Sequence, residues 1–375
     1  MLLRAPRRDA PAAPPRPAPD ETHMLTYEPF YGLQEPAFSA STDPKFFYHS
    51  VSHDRVAQDL LSAIRGRESV VVVTGEAGTG KTMLCRAVTE QLDRRTLTSI
   101  VGAPFASIEQ LLKTVLIDFG VMAREEVAAG RLARASAAEL STTLREFLFS
   151  LGALEAFAVV VIDDAHTMTA DMLEDVRALS ELDGGANLLQ VVLVGEPVLL
   201  RQLARSATRS LLARATVQRV VEPLEDDAEV ADYVLHRLTV CGSKGGVDFA
   251  DGAIERLYVL SEGIPRDINR LCDAALRLGR EQSATVIDRP LIDRAAADVG
   301  IAPPASRAVV ALRIAAVVIA FLSLMLVGAA VGAIVFHDRF AQLIGRWEAV
   351  PAAPRALTPR QPRPLAPLPP PAVGD

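Results

Sequence analysis

The residues with the clearest chemistry form one short loop. They match the G-x-x-x-x-G-K-[ST] pattern that surrounds nucleotide phosphates and read, in order, Gly75, Glu76, Ala77, Gly78, Thr79, Gly80, Lys81 and Thr82. Glycines permit close backbone approach and positive φ angles, so successive N–H groups can face the phosphates. Lys81 is expected to neutralise phosphate charge, and the Thr82 hydroxyl to ligate Mg²⁺. The loop therefore predicts a site for ATP and Mg²⁺.

A second group of polar residues follows an apolar run elsewhere in the chain. Residues 158–162 are apolar and lead directly into Asp163 and Asp164. A carboxylate at the end of such a strand holds Mg²⁺ in P-loop proteins, which assigns Asp163 to the metal beside Thr82. Asp164 is then placed to orient and polarise the attacking water. The alternative is that the two aspartates only cap a helix, and His166 has no assigned chemistry.

Strands and helices must bring these residues together. Short apolar runs predict strands at 69–74, 96–101, 158–164 and 188–194. The segments between them predict helices that begin at Met83, span 136–151, and span 107–119 with a capping box of Ser107 and Gln110. Alternating strands and helices indicate a doubly wound α/β domain with a parallel sheet. The carboxyl ends of its strands meet at one edge, where ligands bind.

Composition shifts along the chain predict six segments. They are a Pro- and Arg-rich disordered arm (1–23), a nucleotide-binding α/β domain (24–224), a helical lid (225–300), a linker (301–313), a transmembrane helix (314–336) and a Pro-rich disordered tail (337–375). The lid assignment depends on helical periodicity without a convincing strand over 226–298. Met1 and Met24 are alternative starts, because the globular pattern begins only after Met24.

Residues 314–336 carry no charged side chain. As a helix they extend about 34 Å at roughly 1.5 Å per residue, against a hydrocarbon core of about 30 Å. This run predicts a membrane-spanning helix, and a buried helix of a soluble protein is the alternative. Because ATP is cytosolic, the nucleotide-binding part is expected on the cytoplasmic side and the tail on the far side.

Charge and cysteine content exclude several classes of function. The formal net charge is −7, so no overall positive field attracts nucleic acid. The three cysteines are Cys85, Cys241 and Cys272, and no two of them form a C-x-x-C pair. This spacing argues against a zinc site and against a disulfide framework.

Further segments complete a family pattern. They are Tyr27 to Leu33, Glu35 to Ser39, Asp43 to Tyr48, Asp163 to His166, Leu193 to Pro197, Gly263 to Arg266, Asn269, and Leu271 to Asp273. With the phosphate loop, they make residues 25–285 similar to the AAA+ ATPases of the ExeA type, general secretion pathway protein A. The resemblance implies a five-stranded parallel sheet, a helical lid, ATP at their junction, and a ring-like or dimeric assembly.

The resemblance also implies roles for individual residues. Arg266 matches the family's sensor-2 arginine, which reaches from the lid to the γ-phosphate. Arg214 matches the arginine finger that enters a neighbour's site, with Arg209 as a rival. Two positions depart from the family pattern: Asp164 stands where Glu is usual, and Glu196 stands where Gln is usual. Hydrolysis is therefore expected to be slow, or Glu196 to take over part of the carboxylate role.

The resemblance, together with the predicted membrane helix, favours a membrane-anchored ATPase of the bacterial inner membrane, single-pass, with its tail in the periplasm. This ATPase drives assembly or transport in the envelope, in secretion or exopolysaccharide machinery, as a homo-oligomer with other envelope proteins. Family members that work in type II secretion carry a peptidoglycan-binding domain, whereas this sequence ends in its Pro-rich tail. The alternatives are a DNA-associated AAA+ regulator of transposition or replication, with nucleic acid not the first choice, and a non-hydrolysing nucleotide switch.

Overall fold

The computed structural model describes residues 26–124, 135–205, 208–302, 318–332 and 336. Its contacts divide the chain into two units, residues 1–304 and 305–375. The first unit contains the sheet, the lid and every residue of the predicted site. The arm at 1–23 and the tail at 337–375 lie outside the described residues.

A parallel sheet of five strands organises the first unit. Its strands are β1 (Val70–Gly75), β2 (Thr96–Gly102), β3 (Phe157–Asp163), β4 (Leu189–Gly195) and β5 (Ala215–Val221). Their order across the sheet is β2-β3-β4-β1-β5, and every neighbouring pair is parallel. Strands β1, β3 and β4 are buried throughout because helices cover both faces of the sheet. The prediction of a five-stranded parallel α/β sheet is therefore confirmed.

Twelve α-helices in the described part of residues 1–304 surround and follow this sheet. They are α1 (Glu28–Tyr31), α2 (Val51–Arg65), α3 (Lys81–Glu90), α4 (Ile108–Asp118), α5 (Ala137–Gly152), α6 (Ala170–Leu179), α7 (Val198–Leu203), α8 (Arg209–Arg214), α9 (Asp227–Val240), α10 (Asp251–Ser261), α11 (Pro265–Glu281) and α12 (Arg289–Val299).

A capping hydrogen bond is present at the start of one predicted helix and absent at the start of another. Ser136 caps α5 in a full capping box with Glu139. The capping box predicted for α4 is wrong, because the Ser107 side chain makes no capping bond. Gln110 Oε1 instead accepts a hydrogen bond from the backbone N–H of Ala106, at 2.6 Å. The amide side chain therefore satisfies a donor outside the helix.

Alternate residues of the central strand pack on opposite faces of the sheet. Val70 and Val72 belong to one apolar core, which they share with leucines of α4 and α5. Val71 and Val73 belong to a second core, formed with α2 and α3. The period-2 geometry of a strand produces this division, and it makes β1 apolar at every position. The phosphate loop therefore begins at the end of a strand held from both sides.

Helices α9 to α12 form a lid with its own apolar core. The N-terminal segment 27–46 belongs to this core, in which Tyr27 and Tyr31 are both buried. The Tyr27 hydroxyl donates to Asp273 Oδ1 at 2.7 Å, and burial together with this carboxylate raises the Tyr27 pKa. The segment was predicted as part of the α/β domain, but its packing partners are the lid helices.

The lid also contains two short strands that the helical prediction missed. Asp248–Phe249 and Val286–Ile287 form a two-stranded parallel sheet. An all-helical lid is therefore a wrong prediction. Each strand has two residues, too few for the alternation that reveals a strand in a sequence.

The chain passes between the sheet domain and the lid at two places. Phe46 packs into the lid core, whereas its neighbour Phe47 packs into the core formed by α2 and α3. At the second place, Val221 ends β5 in that same sheet-domain core and Leu224 already lies in the lid core. The Leu224 N–H donates to the carbonyl of Gly263 at 2.9 Å. Two short hinges therefore join the two parts.

Gly263 lies at the second hinge and cannot accommodate a side chain. Its φ is +73°, and an added Cβ would lie against the carbonyl oxygen of Leu224. Gly300 has nearly the same φ, +71°, but no described atom lies within 4 Å of its added Cβ. We expect Gly263→Ala to lower the free energy of unfolding by about 1–3 kcal/mol more than Gly300→Ala, since overpacking adds to the shared backbone strain. Urea titration measures the difference. Equal losses of unfolding free energy in the two variants would show that the backbone at Gly263 shifts to accommodate the added methyl group at no extra cost.

The predicted transmembrane helix at 314–336 is wrong. Among the residues that the structure describes, none of the helices combines the length and the apolar content that a bilayer crossing requires. A crossing takes about 20 consecutive apolar residues in one helix, and the continuous helix described within this run covers 318–332. Residues 314–317 and 333–335 lie outside the described residues. The single-pass inner-membrane localisation, which depended on this helix, is wrong with it.

Candidate functional site

The phosphate loop connects the end of β1 to the start of α3. Gly78 and Gly80 have φ angles of +90° and +94°, which side-chain-bearing residues rarely adopt. A Cβ on Gly78 would approach Arg266 Cβ to 2.6 Å, and one on Gly80 would approach His53 Nε2 to 2.9 Å. Both glycines are therefore needed for backbone conformation and for space. Neighbouring side chains from α11 and α2 close around the loop.

Lys81 is buried within its own loop. Its Nζ donates to the carbonyl oxygens of Gly75, at 2.9 Å, and Glu76, at 2.8 Å. Burial lowers the pKa of Lys81, while nearby carboxylates, led by Asp163, act in the opposite direction. The ammonium group is thus held at the loop by backbone dipoles, next to the N–H groups that begin α3.

Thr82 and Asp163 meet across the sheet edge. The Thr82 hydroxyl donates to Asp163 Oδ2, and Asp163 Oδ1 accepts from the backbone N–H of Asp164 at 2.9 Å. Asp163 is the last residue of β3, and its carboxylate is buried. A hydroxyl and a carboxylate in contact are the oxygen donors that Mg²⁺ takes in P-loop sites. These two side chains fit the metal that the sequence predicts.

Asp164 has a strained backbone and an exposed side chain. Its φ of +53° and ψ of +30° lie in the left-handed region, which is uncommon for residues other than glycine, asparagine and aspartate. The residue lines the cleft above the phosphate loop. Non-glycine residues in this region concentrate at functional sites. Asp164 therefore borders the same space as Lys81 and Thr82.

Glu196 and His166 form a pair that the sequence analysis did not connect. Glu196 follows β4 and lines the cleft. Its backbone N–H donates to His166 Nδ1 at 3.3 Å, and His166 Nε2 lies 3.6 Å from its Oε1. Gly195 leaves room for this approach, since a Cβ there would lie 3.3 Å from the His166 Cβ. The sequence shows His166 at the end of an Asp-Asp-Ala-His string, but nothing in the pattern indicates that His166 contacts Glu196, thirty residues later.

The lid contributes Arg266 to the other wall of the cleft. Arg266 lies in the first turn of α11, and its backbone N–H donates to the carbonyl of Gly78 at 3.2 Å. Its side chain is more than half exposed and lines the cleft with Asn269 and Arg270. The phosphate loop and the lid therefore touch directly, and Arg266, whose Nε lies 4.0 Å from Asp267 Oδ1, borders the space between them.

Arg214 lies away from this site, at the opposite edge of the sheet. It ends α8 immediately before β5, whose first residue, Ala215, pairs with Val70 at the start of β1. Strand β5 then runs about 20 Å, at roughly 3.3 Å per residue, before it reaches the level of Gly75. Arg214 Nη1 donates to Glu181 Oε1 at 3.1 Å. The rival, Arg209, is exposed at the start of α8.

Several of the predicted residues border a cleft of about 530 Å³ between the sheet domain and the lid. Residues 38–42 and 46–48 also line it, although the sequence pattern gave them no role in the site. The pattern along the chain could not assign them, because they reach the cleft only through packing of segment 27–46 on the lid. Lys81, Thr82, Asp164, Glu196 and Arg266 all border this one space.

A phosphate loop on β1, an acidic end to β3, strand order 2-3-4-1-5 and a helical lid define the AAA+ class of P-loop proteins. Residues 64–203 match the AAA domain family. The solved structure of the Aeropyrum pernix ORC2 protein aligns with 71% of this chain and 72% of its own, at a TM-score of 0.54 and 14% identity. Pyrobaculum aerophilum Cdc6p gives the same TM-score and identity, over 70% of each chain. These two likenesses concern the fold alone.

One relative specifies the type of AAA+ protein. General secretion pathway protein A of Aeromonas hydrophila is 34% identical over 251 residues, which cover 67% of this chain. The chain belongs to the AAA+ proteins of the general secretion pathway protein A type. The match spans 44% of the relative's length.

Proposed function

We propose that this chain binds and hydrolyses ATP with Mg²⁺ in the cleft between sheet domain and lid. The observation that carries the proposal is the contact of Thr82 with Asp163 beside Lys81, at the edge where Asp164 and Arg266 also face the cleft. Binding needs cationic and N–H donors for the phosphates, and hydrolysis needs a carboxylate near the attacking water. This arrangement provides each of them.

The residues act in the following way. Backbone N–H groups of the phosphate loop and the Lys81 ammonium hold the phosphates, and Thr82 and Asp163 hold Mg²⁺, which when bound offsets the charge that develops on the transferred phosphoryl group. Asp164 accepts a hydrogen bond from the attacking water and orients it. Arg266 contacts the terminal phosphate from the lid, so the contact is lost on hydrolysis and the lid is released.

The direct test is calorimetric titration of the full chain with ATP, with and without Mg²⁺, together with phosphate release under the same conditions. We expect binding that Mg²⁺ strengthens and slow turnover, because Asp164 is one methylene shorter than the glutamate usual at this position. Binding without any turnover would identify a nucleotide switch instead. Absence of binding by folded protein would contradict the proposed function altogether.

We propose further that the hydrolysis cycle drives assembly or transport in the bacterial envelope, in secretion or exopolysaccharide machinery. The relationship to general secretion pathway protein A supports this, over the 44% of that protein that the match spans. A DNA-associated regulator is less well supported, because the net charge of −7 gives no overall positive field. Affinity capture of the full chain from cells tests the choice: envelope machinery among its partners supports it, and DNA-bound complexes oppose it.

Arg214 is proposed to complete the site of a neighbouring copy. It lies at the sheet edge opposite its own phosphate loop, and its Nε is buried without a hydrogen-bond partner among the described residues. A homo-oligomer would bring it to the cleft of the next subunit, as the family resemblance implies. The partner copy then contributes a charge that stabilises the transition state.

Mixing two inactive variants tests this role. Arg214→Ala retains its own cleft and Lys81→Ala retains its arginine, so we expect each to be inactive alone. An equal mixture should recover about a quarter of wild-type phosphate release, because one interface in four joins an intact cleft to an intact arginine. Arg209→Ala is the matched control and should keep its activity. If Arg209→Ala were inactive alone and regained activity on mixing with Lys81→Ala, while Arg214→Ala stayed active alone, the role would belong to Arg209.

A further inference from the structure

His53 is a buried histidine that the proposed chemistry does not use. It lies in the first turn of α2 and is 4% exposed. Both ring nitrogens are bonded: Nδ1 lies 2.6 Å from Ser50 Oγ, and Nε2 lies 2.8 Å from the carbonyl oxygen of Thr79 in the phosphate loop. The ring of Phe47 packs edge-on against it, with ring centroids 5.7 Å apart. The imidazole is therefore fixed in one orientation.

The hydrogen-bond partners determine which nitrogen carries the proton. A carbonyl oxygen can only accept, so Nε2 must be protonated to bond Thr79. Ser50 Oγ already accepts from the His53 backbone N–H at 3.2 Å, and its hydroxyl proton is available for Nδ1. Burial lowers the pKa of His53, which favours the neutral ring. The Ser50 hydroxyl therefore donates to His53 Nδ1, and His53 Nε2–H donates to the Thr79 carbonyl of the phosphate loop.

Fixing the Thr79 carbonyl also fixes the next N–H group. The peptide unit between Thr79 and Gly80 is planar and trans, so its C=O and N–H point in opposite directions. A carbonyl turned toward His53 therefore turns the Gly80 N–H away from His53. Gly80 passes so close to the ring that an added Cβ would lie 2.9 Å from Nε2.

Within the loop, the other bonds at this residue are local. The Thr79 N–H and hydroxyl both contact the carbonyl of Glu76, at 3.3 Å and 2.9 Å. Neither bond fixes the plane of the peptide unit between Thr79 and Gly80. The His53 side chain, which lies outside the loop, fixes this plane through its bond to the Thr79 carbonyl.

We propose that His53 is a positioning residue for the phosphate loop: its Nε2–H holds the Thr79 carbonyl so that the Gly80 N–H faces the bound phosphates. The inference rests on the proposed nucleotide binding. It assigns to α2, which contributes no residue of the G-x-x-x-x-G-K-[ST] pattern, a direct effect on phosphate affinity.

Two substitutions separate the donor from the volume of the ring. His53→Leu fills the space without a donor, whereas His53→Gln retains a side-chain N–H that can reach Thr79. By calorimetry on the full chain, we expect His53→Leu to raise the Kd for ATP about tenfold or more, the effect that loss of one buried hydrogen bond accounts for. We expect the Kd of His53→Gln to stay within about fivefold of wild type. Melting temperatures without nucleotide are measured alongside.

The outcomes distinguish this inference from the proposed function. If wild type binds ATP and folded His53→Leu binds equally well, the positioning role is wrong and the nucleotide site stands. If His53→Gln is as weak as His53→Leu, the donor is not what matters and the inference is also wrong. If wild type itself does not bind, the proposed function fails first.

A measurement on the unmodified protein covers the case in which His53→Leu does not fold. The six histidines of the full chain can be labelled with ¹⁵N, and two-bond ¹H–¹⁵N spectra report the tautomer of each ring. His53, assigned by its absence from the His53→Gln spectrum, should be neutral with Nε2 protonated. A ring protonated at Nδ1 alone cannot donate to Thr79, and finding it would overturn the proposal.

Discussion

Lys81→Ala is expected to weaken ATP binding by about 100-fold or more and to remove measurable phosphate release. The ammonium group is held at the loop by the carbonyls of Gly75 and Glu76, where it can transfer its hydrogen bonds to phosphate oxygens. A charge-assisted hydrogen bond contributes about 1.5–3 kcal/mol, and an ammonium group can make several to a triphosphate. Calorimetry with ATP and Mg²⁺ measures the affinity, and a coupled phosphate assay measures the rate.

The control for Lys81 is Lys244→Ala, which removes the same charge from an exposed loop of the lid. Its affinity and turnover should match those of wild type, which excludes a general effect of net charge. If Lys81→Ala released phosphate at the wild-type rate, the G-x-x-x-x-G-K-[ST] loop would not be the site of reaction, and every role assigned around it would fall.

Asp164→Asn is expected to slow turnover by about 100-fold or more while the Kd for ATP changes less than about threefold. General acid–base groups contribute about 10²–10⁴ to rate, and the amide cannot accept the proton that the carboxylate accepts. Asparagine suits this position because, like aspartate, it tolerates the left-handed backbone found at φ +53°. The fold should therefore survive, and single-turnover phosphate release isolates the chemical step.

Asp171→Asn is the matched control for Asp164, since it makes the same change at an exposed residue in the first turn of α6. It should leave both rate and affinity unaltered. Equal losses of rate and affinity in Asp164→Asn would mean that the carboxylate binds the ground state. An unchanged rate would point instead to Glu196, and Glu196→Gln would then carry the rate loss.

Several parts of the site were predictable because they depend on short stretches of sequence. The phosphate loop follows an apolar strand and precedes a helix, and Asp163 ends another apolar strand. Parallel strands bring their carboxyl ends to one edge, so the meeting of Thr82 with Asp163 follows from the pattern. The central strands were visible because they are apolar at every position.

Other parts depend on contacts between distant residues, which the pattern does not contain. Tyr27 bonds Asp273 across most of the first unit, and His53 reaches Thr79 from a separate helix. Strand β5 is a half-exposed edge strand, so its alternating residues gave no apolar run. The predicted membrane helix was wrong for a different reason: an uncharged run does not by itself establish a helix long and apolar enough to cross a bilayer, and the described residues contain none.

The opposite packing of Phe46 and Phe47 has a practical consequence for preparing fragments of this protein. A fragment cut to the family match, residues 64–203, omits both phenylalanines and every lid helix. A fragment that begins at α2 and keeps the lid leaves the pockets for Tyr27, Tyr31 and Phe46 empty, and exposed apolar surface of this kind promotes aggregation. Expression boundaries that preserve the lid therefore begin no later than Thr26.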